Sequence, residues 1–369
     1  MPNCQASTAL ARPGGAVGLP LMERPIVTLR SLARELGLSP TTVSDALRQR
    51  GRVNPQTATR IREAADRQGF RINPLMASVL SEVRRGRQPA FRGIIAALDL
   101  YEDRHWPHGP FPKAIVDGAQ ALAVEQGFSV ELFVAGGSTM SIRRLDSVLA
   151  ARGIEGLIVL PSWFQPDLSG LTWSRYAAVY TDFIRTVPRF HTVCMDHYGT
   201  MFELLERLQA RDYRRPGYVL QGYRGERVQR RQTAAFVEFQ ESLPAKNRVP
   251  LLSTRDLPTK KEFVRWWRRH RPDVVLTHYA EIQDWLEEEA APEEVGFVLL
   301  NSIDQLRPCA CLDQQPRLIG EHAAQVVINN LLRGVRGIPE TYSRTTIGSR
   351  WVEGPTVRPP KEAPVAVEA

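Results

Sequence analysis

The stretch TLRSLARELGLSPTTVSDAL, residues 28 to 47, decides how the N-terminal part of this chain of 369 residues folds. Its first apolar residues recur at the i, i+3, i+4, i+7 spacing of one buried helix face: Leu29, Leu32, Ala33 and Leu36. This pattern predicts a first helix with Thr28 as its N-cap and Gly37 as its end. A second helix is predicted to start at Pro40 with Ser39 as its N-cap, because a serine oxygen accepts from the backbone amides of a first helical turn.

A third helix is predicted to begin at Asn54 and Pro55 and to end at Gly69. The second and third helices each have an apolar face, made of Val43, Ala46, Leu47, Ala58, Ile61 and Ala65. Three short helices with a tight turn between the first two are typical of a helix-turn-helix. The outer face of the second helix carries short polar side chains that suit base edges and phosphates: Thr41, Thr42, Ser44 and Asp45. The alternative is a small helical bundle whose arginines form a solvated face.

The excess positive charge of the chain lies almost entirely in one segment. Between Met22 and Arg87 there are thirteen arginines and six acidic residues, an excess of seven, whereas the whole chain carries a net charge of +8. From Gln88 onward, 34 basic residues balance 34 acidic ones. We therefore expect a polyanion such as DNA to bind the N-terminal segment, because its phosphates release counterions when arginines neutralise them.

One set of residues in the N-terminal segment follows a known pattern in order, in one register and without gaps: Val27, Thr28, Leu29, Ala33, Gly37, Leu38, Ser39, Thr42, Val43, Ser44, Leu47, Val53, Thr57, Ile61, Ala64, Ala65, Gly69, Phe70, Asn73 and Pro74. With these residues the segment resembles the DNA-binding head of the lactose-repressor (LacI/GalR) family of transcriptional regulators. So many matches in a single register make the resemblance specific. It implies that the head reads double-stranded DNA.

The resemblance also implies roles for individual residues of the head. Pro40, Thr41 and Asp45 occupy the positions that enter the major groove. The positions that contact phosphates in the family correspond here to Ser39, Thr42, Ser44, Asn54, Thr57 and Asn73. Thr28 and Arg52 complete the predicted DNA-binding set. Asp45 departs from the family, which usually has Arg or another polar donor there; a carboxylate accepts from cytosine N4 and repels phosphate.

The segment after Pro74 departs from the family as well. Family members insert a leucine from a short hinge helix into the minor groove, where an apolar wedge kinks the duplex. The corresponding residue here is Val79 by strict alignment, or Leu80 if the helix is rotated. The alternative for this stretch is an ordinary linker helix.

From Phe91 onward, short apolar runs alternate with amphipathic stretches. The runs lie at residues 94–100, 130–134, 157–160, 177–180, 192–195, 218–220, 274–277 and 295–300. This alternation predicts an α/β fold of parallel sheets that are covered on both faces. Ligands of such folds bind beyond the carboxyl ends of the strands.

This part of the chain resembles, more thinly, the two-lobed core of the same family, which is like that of periplasmic binding proteins. The matching residues are Phe111, Gly118, Ala119, Gly127, Phe128, Gly156, Leu157, Ile158, Val193, Asp196, Gly199, Gly217, Gln314, Pro316, Gly320 and Ala323. In the family the chain crosses between the lobes several times. The resemblance implies that a small effector, often a sugar or a purine, binds in the cleft between them.

Two groups of residues are candidates for binding that effector. Aromatic residues follow the first and third strands, where they could either stack on a sugar ring or pack the lobe edges: Tyr101, Trp106, Trp163 and Phe164. The resemblance supplies the second group. Gln232 falls where the family has an arginine that binds effector hydroxyls, and Arg230 and Arg231 precede it. His278 and Gln315 fall near other ligand positions of the family, and Asp313 is close to Gln315.

The sequence gives no reason to expect catalysis. It contains no GxGxxG, GxxxxGK[ST], GxSxG or HExxH motif and no pair of histidines at metal-ligand spacing. The four cysteines lack the paired CxxC spacing of a zinc site. We therefore expect no catalytic residues, no metal and no cofactor. An α/β enzyme fused to a DNA-binding head and a sugar-binding transport protein are the alternatives; the basic head and the lack of a signal-peptide pattern argue against transport.

These patterns predict five segments. They are a disordered leader at 1–25, with Met22 as an alternative start, the helix-turn-helix domain at 26–72, the hinge helix and linker at 73–90, the two-lobed effector-binding and dimerisation domain at 91–354, and a disordered tail at 355–369. No run of about 18 apolar residues could span a bilayer. We expect a cytoplasmic DNA-binding regulator with a small-molecule effector, such as a carbohydrate, and no membrane partner.

We also expect a homodimer, because one head reads only half of a near-palindromic operator. Two apolar stripes are predicted to form the contact between cores, as the corresponding helices do in the family: Ile282, Trp285 and Leu286, and Ile319, Ala323, Val326, Val327 and Leu331. The tail contains several prolines and no leucine heptads, so no tetramerising coiled coil is predicted.

Overall fold

The computed structural model of the chain describes residues 29–47, 53–67, 91–100, 109–162, 167–183, 188–222, 228–291 and 293–360. The chain divides into two compact units, Met1–Arg87 and Gln88–Ala369. The predicted leader and hinge helix lie outside the described residues.

The described part of the first unit consists of three helices, as predicted. They are α1 (Leu29–Leu36), α2 (Pro40–Leu47) and α3 (Pro55–Arg67). Their apolar faces form one small core of Leu32, Ala33, Val43, Ala46, Ala58, Ile61, Ala64 and Ala65. Gly37 has a φ of +66°, which ends α1 at a residue that takes this left-handed conformation without a Cβ clash. Arg60 donates to the carbonyl of Leu36 over 3.2 Å and thereby ties α3 to the end of α1.

The second unit alternates strands and helices, which confirms the α/β prediction. Its elements are β1 (Gly93–Leu100), α4 (Pro110–Glu125), β2 (Phe128–Ala135), α5 (Ile142–Ala151), β3 (Gly156–Val159), β4 (Ala177–Tyr180), β5 (His191–Met195), α6 (His197–Ala210), β6 (Pro216–Gln221), α7 (Arg231–Ser242), β7 (Leu252–Thr254), α8 (Lys260–His270), β8 (Val274–Thr277), α9 (Glu281–Glu287), β9 (Gly296–Leu299), β10 (Ala310–Asp313), α10 (Pro316–Leu332), β11 (Arg344–Ile347) and β12 (Arg350–Val352). Every strand run predicted from the sequence is found, whereas β7, β10, β11 and β12 were not predicted.

The strands form two sheets, one in each lobe. The first has the order β11-β5-β4-β3-β1-β2, and its neighbours are parallel throughout. The second has the order β12-β10-β9-β8-β6-β7 and is parallel except for β12, which runs antiparallel to β10. Apolar residues cover both faces of each sheet, as is usual for parallel sheets.

The chain crosses between the lobes at three places. After β5 of the first sheet, α6 packs in the core of the second lobe. After β10 of the second sheet, α10 packs in the core of the first lobe beside α4. The third crossing runs from β11 of the first sheet to β12 of the second. The three crossings are joined by backbone and side-chain bonds, such as that from the amide of Asp196 to the carbonyl of Ile347 over 2.8 Å.

Two glycines allow α4 and α10 to pack closely. A Cβ atom on Gly320 would lie 1.9 Å from the carbonyl oxygen of Ile115, and one on Gly118 would lie 2.0 Å from that of Arg317. The backbones of the two helices therefore touch where side chains would normally separate them. This pair of helices holds α10 on the first lobe although the strand before it belongs to the second.

The prediction that two apolar stripes form the contact between cores is wrong. Five of the eight residues are buried in the cores of their own protomer and so form no surface stripe for a second copy: Ile282, Leu286, Ile319, Ala323 and Val327. The other three pack partly buried against the same cores: Trp285, Val326 and Leu331. The apolar periodicity of these helices arises because they pack against the sheets of their own chain. The same periodicity would be expected if they packed against a partner, so the sequence pattern does not separate the two.

The start of the predicted disordered tail is ordered. Thr356 donates through its hydroxyl to the carbonyl of Phe297 over 2.7 Å and accepts from the amide of Ala310 over 2.9 Å. The amide of Arg358 donates to the hydroxyl of Tyr213 over 2.9 Å. These bonds fix residues 355–358 on the second lobe. Those of Thr356 satisfy backbone groups near the starts of β9 and β10. Residues 361–369 lie outside the described part.

Candidate functional site

The outer face of α2 is organised by the start of the helix. The Oγ atom of Ser39 accepts from the amide of Thr42 over 3.0 Å and lies 2.8 Å from its Oγ1 atom, so the predicted N-cap is present. Ser39 and Pro40 are exposed, and Thr42 and Asp45 are partly exposed. Exposed polar groups at a helix start, together with the amides of its first turn, suit contact with phosphates.

The predicted DNA-binding residues of α3 lie at its start. The Oδ1 atom of exposed Asn54 accepts from the amide of Gln56 over 2.9 Å, and Thr57 is partly buried one turn along. The other predicted DNA-binding groups are not described: the side chains of Thr41 and Ser44, and residues Thr28, Arg52, Asn73, Val79 and Leu80.

In the second lobe, two of the predicted effector-binding residues are in contact. The Oε1 atom of Gln232, on α7, lies 3.1 Å from the Nε2 atom of His278 and accepts from the hydroxyl of Tyr218 over 3.3 Å. Gln232 and His278 are both buried. Arg230, which precedes α7 with a φ of +54°, is exposed. The structure therefore brings Gln232 and His278 together near the carboxyl ends of β6 and β8.

Asp313 and Gln315 lie where β10 leads into α10, at the second crossing between the lobes. The carboxylate of Asp313 accepts from the amide of Gln315 over 2.9 Å and from Arg350 over 2.9 Å. The side-chain amide of Gln315 donates to the carbonyl of Gly348 over 2.6 Å, and its φ is +52°. Both side chains thus connect the second crossing to the third.

The aromatic residues proposed for stacking lie outside the described residues: Tyr101, Trp106, Trp163 and Phe164. The structure does show a recess of about 470 Å³ at the carboxyl ends of β1 and β2. Its lining includes Leu100, Gly136, Ser141 and Asp167. Strand ends of a parallel sheet are the usual place for a ligand.

A group of residues that the sequence did not single out meets where the two lobes approach each other. Phe183, which follows β4 of the first lobe, lies under the guanidinium of Arg231, whose Cζ atom is 4.3 Å from the ring centroid. The Cζ atom of Arg344, on β11, lies 4.5 Å from the same centroid. The ring of His197, at the start of α6, has its centroid 5.5 Å away. We call Phe183, His197, Arg231 and Arg344 the interlobe cluster.

The electrostatics of the interlobe cluster follow from burial and from its two cations. Burial, and then the charge of Arg231, lowers the pKa of His197 to about 3, so its imidazole is neutral at pH 7. Burial raises the pKa of the neighbouring Cys194 thiol to about 12 although Arg344 and Arg231 oppose the shift, so that thiol stays protonated. Two carboxylates lie close by, and each accepts from a backbone amide: Asp182 from Phe183 over 2.7 Å and Asp196 from Gly199 over 3.0 Å.

Other kinds of site are not apparent in the described residues. Within them, no group of three His, Cys, Asp or Glu side chains has the arrangement needed to hold a metal ion. None of the helices described is long and apolar enough to cross a membrane.

Solved structures of transcriptional regulators are similar in fold to this chain. The structure of the transcriptional regulator CelR in complex with cellobiose matches with a TM-score of 0.54 over 90% of this chain and 99% of that chain, at 18% sequence identity. This chain has the fold of the LacI-family regulators. The lac repressor dimer bound to operator and the anti-inducer ONPF matches with a TM-score of 0.52 over 89% of this chain and 98% of that chain, at 16% identity.

A third structure with this LacI-type fold matches a smaller share of the chain. A LacI transcriptional regulator from a Rhodococcus species has a TM-score of 0.55 over 72% of this chain and 99% of that chain, at 14% identity. No protein-family model and no curated protein matches the chain. At such identities the likeness establishes the fold and does not assign a role to any residue.

Proposed function

We propose that this protein is a transcriptional regulator of the LacI/GalR family. Its head binds a near-palindromic DNA operator, and a small molecule bound between the lobes of its core modulates that binding. The observation that carries the proposal is the presence, in one chain, of a helix-turn-helix with a polar outer face and a two-lobed core with three crossings. The excess of seven positive charges in the head segment supports DNA as its ligand.

The structures that share the fold support both halves of the proposal. One of them, CelR, is in complex with cellobiose, and another, CcpA from Weissella paramesenteroides, has glucose bound. The lac repressor structure is a dimer bound to its operator. By analogy, we propose that this chain acts as a homodimer and that its effector is a small polar metabolite such as a carbohydrate. No catalytic step is part of the proposal.

The residues proposed for each role keep the assignments made from the sequence. For DNA they are the outer face of α2 and the starts of α2 and α3, with Ser39, Thr42 and Asn54 at phosphates and Pro40 and Asp45 at base edges. For the effector they are Gln232 and His278 in the second lobe and the crossing residues Asp313 and Gln315. Because the crossings connect the two lobes, a ligand that contacts them would favour one arrangement of the core.

Selection of binding sites from a random DNA library with the full-length protein tests the DNA half of the proposal. We expect enrichment of a near-palindromic sequence, a symmetric footprint on it, and affinity that falls steeply between about 50 and 200 mM salt. Thr42→Glu adds a carboxylate at a proposed phosphate contact, so we expect it to weaken operator binding by more than about tenfold. Failure to enrich any sequence would overturn the proposal.

Two controls separate contact from general charge. Thr59→Glu adds the same charge on an exposed part of α3 that is outside the proposed contacts, so it should weaken binding much less than Thr42→Glu. A chain that starts at Gln88 retains the cores of both lobes, since none of these includes a head residue, and it should bind neither operator nor other DNA. Equal loss in the two glutamate variants would count against α2 as the recognition helix.

A further inference from the structure

Arg231 and Arg344 of the interlobe cluster have no carboxylate partner among the described residues, whereas other arginines of the core do. Arg350 pairs with Asp313 over 2.9 Å, Arg336 pairs with Glu155 over 2.6 Å, and buried Arg211 pairs with Glu353. Asp182 and Asp196 lie near the cluster, and each accepts from a backbone amide. Two guanidinium groups thus converge on one ring, and within the described residues neither forms a salt bridge.

The two arginines contact the ring of Phe183 through their guanidinium groups. A guanidinium that stacks on a ring uses its flat face, and its N–H groups point outward in its own plane. Both Cζ atoms lie within 4.5 Å of the Phe183 centroid, so they are at most about 9 Å apart. Buried Nε of Arg231 has no acceptor among the described residues. A buried donor without an acceptor destabilises the folded chain, and a bound acceptor would remove that cost.

His197 provides a second, independent indication of a ligand. Its side chain is only 7% exposed, and its Nδ1 atom has no hydrogen-bond partner in the described part of the chain. Its ring lies beside Phe183. Buried polar atoms of native proteins are nearly always hydrogen-bonded, so such an atom indicates a missing partner. A neutral imidazole can donate to a ligand oxygen or accept from a ligand hydroxyl.

The cluster draws on both lobes. Phe183 and Arg344 belong to the first lobe, Arg231 opens α7 of the second, and His197 opens α6 just after the first crossing. An anion bound by both arginines would therefore contact both lobes beside a crossing. Its binding energy would favour the arrangement that keeps Arg231 and Arg344 close together, which is the requirement for coupling to another site.

We propose that the effector of this regulator carries an oxyanion, a phosphate or a carboxylate, that Arg231 and Arg344 bind beside Phe183 and His197. This proposal rests on the proposed function, because it names the chemical class of the effector. Guanidinium groups suit either anion because they donate two parallel hydrogen bonds to a pair of oxygens. The rest of the molecule, including hydroxyl groups, would contact the remainder of the cleft.

Ligand-induced shifts of the melting temperature of the full-length protein test the proposal. The probes are inorganic phosphate, glucose 6-phosphate, gluconate and uncharged glucose, each at up to roughly 10 mM, where a binder raises stability by mass action. We expect stabilisation by at least one anion and a weaker effect of glucose. Glucose 6-phosphate and gluconate separate the two sources of the charge. No stabilisation by any anion, or equal stabilisation by glucose, would overturn the proposal.

Variants assign the binding to the cluster. Arg231→Gln and Arg344→Gln should each weaken the stabilising anion by at least about tenfold, whereas Arg333→Gln, which removes an exposed arginine at the end of α10, should leave its affinity unchanged. Arg231→Lys and Arg344→Lys keep the charge, so they should bind the anion better than the glutamine variants. This difference would show that the loss of binding in the glutamine variants is not caused by misfolding. Unchanged anion affinity in folded glutamine variants would overturn the proposal. Operator binding without ligand, measured in parallel, tests the regulator function separately.

Discussion

At the scale of single residues, Asp45 is the proposed base contact at which the sequence departs from the LacI/GalR pattern. It lies partly exposed on α2, a helix of eight residues whose outer face is proposed above to contact DNA. A carboxylate there can accept from cytosine N4, and it also repels phosphates. The two effects predict different consequences of its removal.

We predict that Asp45→Ala changes which operators are preferred, by about 1–3 kcal/mol at the position that Asp45 reads. The measurement is a comparison of site selection and of anisotropy titrations on matched and mismatched operators. Asp45→Asn is the control, because it keeps the shape of the side chain and removes its charge. If Asp45→Ala binds every sequence more tightly by one common factor, the carboxylate acts only by repelling phosphate.

His197 makes the stability of the core depend on pH. Its pKa in the folded chain is about 3, against a usual value of 6.5, so below pH 6.5 the unfolded chain binds a proton that the folded chain does not. The contribution of the neutral buried ring is therefore complete above pH 6.5 and is lost as the pH falls toward 3. The slope reaches about 1.4 kcal/mol per pH unit for one such group.

We predict that His197→Asn flattens the dependence of the free energy of unfolding on pH between about 6.5 and 4. Urea unfolding at several pH values measures it. His322→Gln, at an exposed position of α10, should leave the dependence unchanged. A wild-type slope that persists in His197→Asn would mean that other groups cause the loss of stability in acid.

At the scale of elements, the contact of α4 with α10 joins the end of the second lobe's sheet to the core of the first. It depends on the absence of a side chain at Gly320, since the carbonyl of Ile115 occupies that space. Backbone is harder to displace than the end of a flexible side chain. The two helices must therefore separate if a methyl group is added.

We predict that Gly320→Ala destabilises the core by about 1–3 kcal/mol, as overpacking usually does. The midpoint of urea unfolding is the measurement. Gly348→Ala is the control, because a Cβ there meets no atom within 4 Å, and it should change stability by less than about 0.5 kcal/mol. Equal stability of the two variants would show that the helix pair shifts at little cost.

At the scale of the whole molecule, the boundary between the positively charged and the neutral part of the chain coincides with the boundary between the head and the core. The head segment holds nearly all of the net charge, and the core from Gln88 onward is neutral. The three crossings make the two lobes of the core depend on one another, and they lie beside the arginines and the histidine of the interlobe cluster. This arrangement suits a core that senses a small ligand and a head that binds a polyanion.

The sequence by itself determined the three helices of the head and their ends at Ser39 and Gly37, because these depend on residues within one or two turns. It also determined the alternation of strands with helices and eight of the strands, because each of these strands is a run of buried residues. It did not reveal β11 or β12. The strand β11 is exposed along most of its length and exists through its pairing with β5, where Arg344 lies opposite Thr192, about 150 residues earlier.

Only the tertiary structure decided which residues meet between the lobes. The members of the interlobe cluster come from four separate segments, and no spacing along the chain relates Phe183 to Arg231 or to Arg344. The same holds for the apolar faces of α9 and α10, whose periodicity recorded that they are buried but not against what. Local pattern reports the environment of a residue, whereas its partners depend on where crossings and sheet order bring distant segments together.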